Sequence, residues 1–191
     1  MFEVNELHIK GMVCRRCIKV VTNELENLGA EILSIELGKV VIKYPKGVLS
    51  KYMIKEMLQK NDFDLLTDEE SKTIEQIKIL MVQLTEDLPI LMKLNLSQII
   101  ANKVGKEYTY LSKLFSKVEG LTIEKYFIQL KIEKAKELIQ DNELNFTEIS
   151  YELGYSSVNY LSNQFKHSTS MNMSDYKKLS QWNRKSIDKI V

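Results

Sequence analysis

Apolar and polar positions follow two rhythms along this chain, and the change between them divides it. Through residue 67, short alternating runs interleave with helical ones. Leu7-His8-Ile9-Lys10 alternates with period two, which predicts a strand, and Gly11-Met12-Val13 predicts the loop leaving it. From Arg16 to Leu28 the residues Ile18, Val21, Leu25 and Leu28 recur at helical spacing, with Gly29 suited to the C-terminal cap. Ile32 to Leu37 and Val40 to Tyr44 flank Gly38-Lys39 and predict a hairpin ended by Pro45-Lys46-Gly47. A second helix, about Leu49 to Lys60, places Ile54, Met57 and Leu58 together, and Phe63 to Leu66 closes as a short strand. The order βαββαβ predicts a ferredoxin-like α+β domain over residues 1–67.

Beyond residue 67 the rhythm is helical throughout. Over residues 68–88, Ile74, Ile77, Leu80, Met81 and Leu84 form one stripe behind an acidic start, Asp68-Glu69-Glu70, which predicts a linker helix. So short a stripe suits packing on either neighbouring domain or a two-helix seam in a homodimer, and it leaves both open. Residues 89–180 contain an internal repeat. Tyr110-Leu111-Ser112-Lys113-Leu114-Phe115 returns fifty residues later as Tyr160-Leu161-Ser162-Asn163-Gln164-Phe165. Each copy follows a short helical run and a glycine, Leu96 to Val104 with Gly105 and Phe146 to Leu153 with Gly154. Helix, glycine turn and helix, twice, predict an all-α domain of two helix-turn-helix units, joined by one long helix from Ile123 to Gln140. Tyr110, Leu111, Phe115 and their repeats are expected in its core. The tail, 181–191, carries Trp182, Ile187, Ile190 and Val191 among basic residues and suits either capping the domain or contacting phosphate.

Composition narrows the classes. Seven Gly and two Pro in 191 residues favour long helices over an all-β fold. No apolar run approaches the roughly 18 residues of a membrane span, and the first residues lack the pattern of a signal peptide, so a cytoplasmic protein with no membrane partner is expected. The net charge of +1 is unevenly spread: +1 over residues 1–67, −4 over 68–88 and +4 over 89–191. The two His and the scattered carboxylates form no recognisable catalytic arrangement, so no enzyme is expected.

Both cysteines fall in one C-x-x-C, Cys14 and Cys17, a pattern for metal or redox chemistry and not for a disulfide framework. At a helix start, backbone N–H groups are expected to lower the thiol pKa, and the i, i+3 spacing brings the sulfurs to one side. Two soft thiolates suit Cu(I) best, and Zn(II) or another soft ion less well, because zinc prefers four ligands and no second pair exists. Met12 is expected as core beneath the loop, and His8 as a surface residue. A thioredoxin-like oxidoreductase is the rival reading of C-x-x-C. That family has Trp before its first cysteine, where this chain has Val13, and a cis-proline facing it.

His8-Ile9-Lys10-Gly11-Met12-Val13-Cys14-Arg15-Arg16-Cys17 resembles the G-M-x-C-x-x-C signature of heavy-metal-associated (HMA) domains, over about residues 3 to 67. The resemblance implies the βαββαβ fold and a linear two-sulfur metal site at Cys14 and Cys17. Asn61-Asp62-Phe63 departs from the family, which has Gly before its aromatic residue.

A second resemblance covers about residues 89 to 179. Lys131-Ile132-Glu133-Lys134-Ala135-Lys136-Glu137-Leu138-Ile139, then Glu148-Ile149-Ser150-Tyr151-Glu152-Leu153-Gly154-Tyr155-Ser156-Ser157 and Phe165-Lys166, resemble the DNA-binding domain of AraC/XylS regulators. Ser170 and Met173 stand where that family has Gly and Pro. The resemblance implies a bacterial transcription regulator with double-stranded DNA, and further RNA polymerase, as partners. Carried over by position, its base-reading residues are Thr109, Ser112 and Lys113 in the first unit and Asn159, Ser162 and Asn163 in the second. Lys117, Lys131 and Lys166 are expected on phosphates. The only arginines are Arg15, Arg16 and Arg184, so guanine readout by arginine is absent from both helices and Asn to adenine is the expected polar code. A metal-binding or redox-switch module whose helical half docks a protein partner is the alternative.

Overall fold

The alternation in the first third of the chain produces one antiparallel sheet. Along the chain come β1 (Phe2–Lys10), α1 (Arg15–Asn27), β2 (Glu31–Glu36), β3 (Lys39–Pro45), α2 (Lys51–Lys60) and β4 (Asp64–Leu66), in the computed structural model, which describes residues 1–179 with Gln181, Trp182 and Arg184. The strands lie in the order β2-β3-β1-β4, with Leu7 opposite Val40 and Ile9 opposite Leu65. Because neighbouring side chains in a strand point to opposite faces, Leu7, Ile9, Val40, Ile42 and Tyr44 enter one core, where Val21 and Leu25 of α1 and Ile54 and Leu58 of α2 cover them. The pairing of β2 with β3 shifts between Ile32 and Ser34, an irregularity that lets Ile32 and Ile35, three apart, pack against the same core. Asp62, standing where the HMA family has Gly, takes φ 62°, a left-handed conformation that a short polar side chain tolerates.

Helix α3 (Glu69–Glu86) follows, and the chain divides into two units between Ile79 and Leu80. Ile74, Ile77 and Met81 of the predicted stripe are buried, and so are Thr73, Glu75, Lys78, Ile79, Val82 and Thr85. Burial thus extends well beyond the stripe and takes in charged residues.

The second unit, among the described residues, is helical: α4 (Leu96–Val104), α5 (Tyr108–Glu119), α6 (Ile123–Asp141), α7 (Phe146–Glu152), α8 (Val158–Thr169) and α9 (Met173–Lys177). The repeat is physical as well as textual. Asn95 and Asn145, fifty apart, each accept a hydrogen bond from the backbone N–H three residues on, and Gln98 and Glu148 reach back to accept from the asparagine N–H groups. These reciprocal caps fix where α4 and α7 begin. Phe115 meets Tyr126 edge to face at 5.5 Å, and Phe165 meets Tyr176 likewise at 5.4 Å. Helix α6 packs against α5, α7, α8 and α9. Gly120 ends α5 with φ 71°, and Ser170 ends α8 in the same conformation, φ 60°, so serine supplies the turn that the AraC family builds with Gly.

One expectation about this core is corrected. Leu111, Phe115, Leu161 and Phe165 are buried, but Tyr110 and Tyr160 are 45% and 51% exposed. Leu111, Leu114 and Phe115 already complete a stripe at i, i+3 and i+4, and Tyr110 falls at its edge. In the tail, Trp182 packs edge-on against Tyr176 at 5.2 Å and Arg184 lies 3.4 Å from Glu137. Ile187, Ile190 and Val191, on which the reading of the tail also drew, lie outside the described residues.

Candidate nucleic-acid interface and thiol pair

Each helix-turn-helix is held by its glycine. Gly105 closes α4 with φ 72° and Gly154 follows α7 with φ 65°, a region where side-chain-bearing residues are disfavoured. Gly154 has a second constraint, because a Cβ there would lie 2.8 Å from the backbone oxygen of Ile90. Ile90 is itself anchored by donating its N–H to Glu152 O at 2.7 Å.

The second helix of each unit, α5 or α8, presents a polar face. Thr109, Lys113 and Lys117 are exposed along α5, with Ser112 half-buried beside them. Asn159, Asn163 and Lys166 are exposed along α8, with Ser162 half-buried. Residues three and four apart share a helix face, so each set forms one strip. Tyr110 and Tyr160 flank these strips at equivalent positions. The ammonium of Lys106 lies 5.7 Å from the Tyr110 ring centre, and the Tyr160 hydroxyl accepts from Gln164 Nε2 at 3.4 Å. Sequence reasoning placed both tyrosines in the core; the signal against it was the stripe that Leu111, Leu114 and Phe115 complete without them.

Lys131 is the second correction. Instead of reaching for phosphate it is buried in α6, its ammonium 3.8 Å from the centre of the Tyr155 ring and 5.8 Å from that of Phe127. An inward-turned ammonium cannot neutralise a surface phosphate. Burial lowers its pKa to about 8, and the same burial raises that of Tyr155.

At the other end of the chain, Cys14 caps α1, its sulfur accepting from the N–H of Cys17 at 3.3 Å. The two sulfurs lie 2.8 Å apart, Cys14 exposed and Cys17 half-buried. The expected lowering of thiol pKa is reversed at Cys17. Burial and the neighbouring Cys14 sulfur push it up, outweighing the backbone N–H groups that pull it down. Met12 is fully buried, as core rather than ligand, and His8 is bonded to Glu6 Oε1 at 2.9 Å. Among the described residues no three His, Cys, Asp or Glu side chains gather in one place. The donor set is therefore two thiols at a solvent-facing loop, which fits a soft ion of low coordination number and falls short of a structural zinc site.

Comparison with known proteins finds likenesses for the helical half. Residues 100–179 match the model of a helix-turn-helix domain family, and that match covers none of the sheet-bearing unit. The chain is 31% identical over 84 residues to the Msm operon regulatory protein of Streptococcus mutans, covering 44% of this chain and 30% of that protein. It is 31% identical over 68 residues to YdeC of Bacillus subtilis, an uncharacterised HTH-type transcriptional regulator, covering 36% of this chain and 23% of that one. The chain thus spans less than a third of either relative. The C-terminal domain of AraT, a response regulator from Geobacillus stearothermophilus, shares the fold at TM-score 0.50 and 20% identity, over 61% of this chain and 94% of that one. Within the second unit, residues 100–179 are thus similar to helix-turn-helix domains. No described helix is long and apolar enough to cross a membrane.

Proposed function

We propose that this chain is a bacterial transcription regulator of the AraC type that answers to a soft metal ion, Cu(I) before Zn(II). It binds double-stranded DNA through α5 and α8 and holds the ion with Cys14 and Cys17 of a ferredoxin-like, HMA-type domain, in the cytoplasm. The observation that carries the reading is the pair of polar strips, Thr109-Ser112-Lys113 and Asn159-Ser162-Asn163, set at equivalent positions of two helix-turn-helix units, with Lys117 and Lys166 one turn further along each helix. Two such helices enter successive major grooves, about 34 Å apart, when a rigid helix joins them, and α6 runs between the two units. Lys113 and Asn163 read base edges, while Lys117 and Lys166 neutralise phosphates. Bound between the thiolates, a soft cation replaces their protons and fixes the loop they stand on.

Two outcomes are expected. With a duplex selected from a random pool, Lys113→Ala and Asn163→Ala each cost about 1 to 3 kcal/mol of discrimination against unselected DNA. Lys166→Ala weakens both duplexes alike and reduces the slope of log affinity against log salt by about one unit. Electrophoretic retardation over a salt series measures all three, and equal losses from the three variants would place base reading on another face. On the metal side, reduced protein takes up about one Cu(I) per chain from a chelator, since the pair is the only thiol donor set, and Cys14→Ser with Cys17→Ser abolishes the uptake. Uptake undiminished in that double variant would remove the sensor from the proposal.

A further inference from the structure

The loop bearing Cys14 is short, and nearly every part of it is fastened. Val13 N–H donates to Gly11 O at 3.0 Å, and Gly38 N–H of the hairpin turn donates to Met12 O at 3.1 Å. The Met12 and Val13 side chains are buried. Gly11 N–H goes to a residue 64 positions away: it donates to Oε1 of Glu75 on α3 at 2.8 Å. Glu75 is only 4% exposed. One helical turn on, Ile79 fills the space over Gly38, so closely that a Cβ on that glycine would lie 2.3 Å from Ile79 Cδ1. Glu75 and Ile79 thus contact Gly11, which opens the Cys14 loop, and Gly38, whose N–H holds Met12 O. A buried carboxylate is costly unless its oxygens are satisfied.

We infer that Glu75 is the positioning residue that reports the state of the Cys14–Cys17 pair to α3, resting on the metal-responsive reading above. The sulfurs lie 2.8 Å apart, closer than two bonds to one ion placed between them allow. Ligation therefore separates them and displaces the loop that carries Cys14. With Met12 and Val13 packed below and Gly38 holding Met12 O, the loop transmits that displacement to the Gly11–Glu75 bond. Helix α3 continues to Glu86, whose carboxylate pairs with Lys134 of α6 at 3.2 Å. One helix thus carries both the acceptor for the thiol loop and an ion pair to the long helix of the DNA-binding unit.

The test is amide hydrogen exchange followed by NMR on the full-length protein, with Cu(I) uptake measured in parallel by chelator competition. In the metal-free protein, Glu75→Leu accelerates exchange at Gly11 by about tenfold or more, while Glu75→Gln, which keeps an oxygen acceptor, leaves it near the parent rate. On adding Cu(I), the parent and Glu75→Gln change their exchange in residues 69–79, and Glu75→Leu takes up the ion without that change. If the parent takes up no Cu(I), the metal-responsive reading falls and this inference with it. If the ion binds through the thiols but exchange along α3 stays the same, or changes equally in Glu75→Leu, the inference alone is overturned.

Discussion

Gly154→Ala is expected to cost the helical unit about 2 to 4 kcal/mol. Part of that is conformational: a left-handed φ costs an L-residue roughly 1 to 2 kcal/mol, offset by about 0.5 to 1 kcal/mol because alanine loses less entropy on folding than glycine. The rest is contact. The new Cβ would lie 2.8 Å from Ile90 O, and backbone held by the Ile90–Glu152 hydrogen bond cannot give as a side-chain tip can; overpacking of this kind costs about 1 to 3 kcal/mol. Gly105 is the internal control. It has the same conformation, φ 72°, with nothing within 4 Å of the added atom, so Gly105→Ala is expected to show the conformational cost alone. Urea unfolding read by fluorescence of Trp182, the only tryptophan and packed on Tyr176, reports on this unit. The midpoint falls by about 1 to 2 M for Gly154→Ala, given slopes of about 1 to 3 kcal/mol per molar urea. Equal shifts from the two variants would show that the approach of Ile90 does not matter.

Lys131→Met is expected to stabilise the same unit, by an amount that depends on pH. In the folded chain burial holds the Lys131 pKa at about 8, against an ordinary value near 10.5. Below pH 8 folded and unfolded chains both carry the proton, and the folded state bears the full cost of a buried ammonium. Between about pH 8 and 10.5 the unfolded chain binds more protons than the folded one, so stability rises with pH across that window. At 1.36 kcal/mol per pKa unit the cost of burial at pH 7 is about 3 kcal/mol, and the contact of the ammonium with the Tyr155 ring offsets part of it. The variant therefore gains about 2 to 3 kcal/mol over the parent at pH 7, and the gap closes as pH approaches 10. Urea midpoints of parent and variant at pH 7, 8, 9 and 9.5 give the difference directly. A gap constant over that range would mean that the ammonium is not desolvated.

These two residues mark where sequence legibility ends. Helix positions in the second unit were legible because their signals are local: the glycine turns and the repeat at fifty residues. The termini of α4 were read to the residue, and those of α6 to within one. Lys131 was not legible, because a lysine in a charged run reads as solvated. Its neighbours Leu130 and Ile132 are both buried, and α6 is covered by four other helices, a fact of tertiary packing. Tyr110 and Tyr160 failed for the opposite reason: an aromatic residue beside a buried leucine reads as core until the stripe is counted out. In the first unit the alternation gave only Leu7 to Lys10 of β1, because the strand's earlier residues, Phe2 to Glu6, enter no core and carry no buried alternation, and the C-x-x-C stood out because it holds the only two cysteines. What no local pattern could reveal is the bond from Gly11 to Glu75, which joins residues 64 apart. Nor could spacing show that burial of Cys17 outweighs the pull of nearby N–H groups on its thiol.

The thermodynamic linkage between metal and DNA is the most direct test of a metal-responsive regulator. The affinity of the reduced full-length protein for a duplex selected from a random pool would be measured at one fixed salt concentration with and without Cu(I), and the Cu(I) affinity with and without that duplex. The account predicts that Cu(I) changes DNA affinity by about 5- to 150-fold, and that the duplex changes Cu(I) affinity by the same factor, because coupling between two sites is reciprocal. Two affinities that prove independent of one another would contradict it.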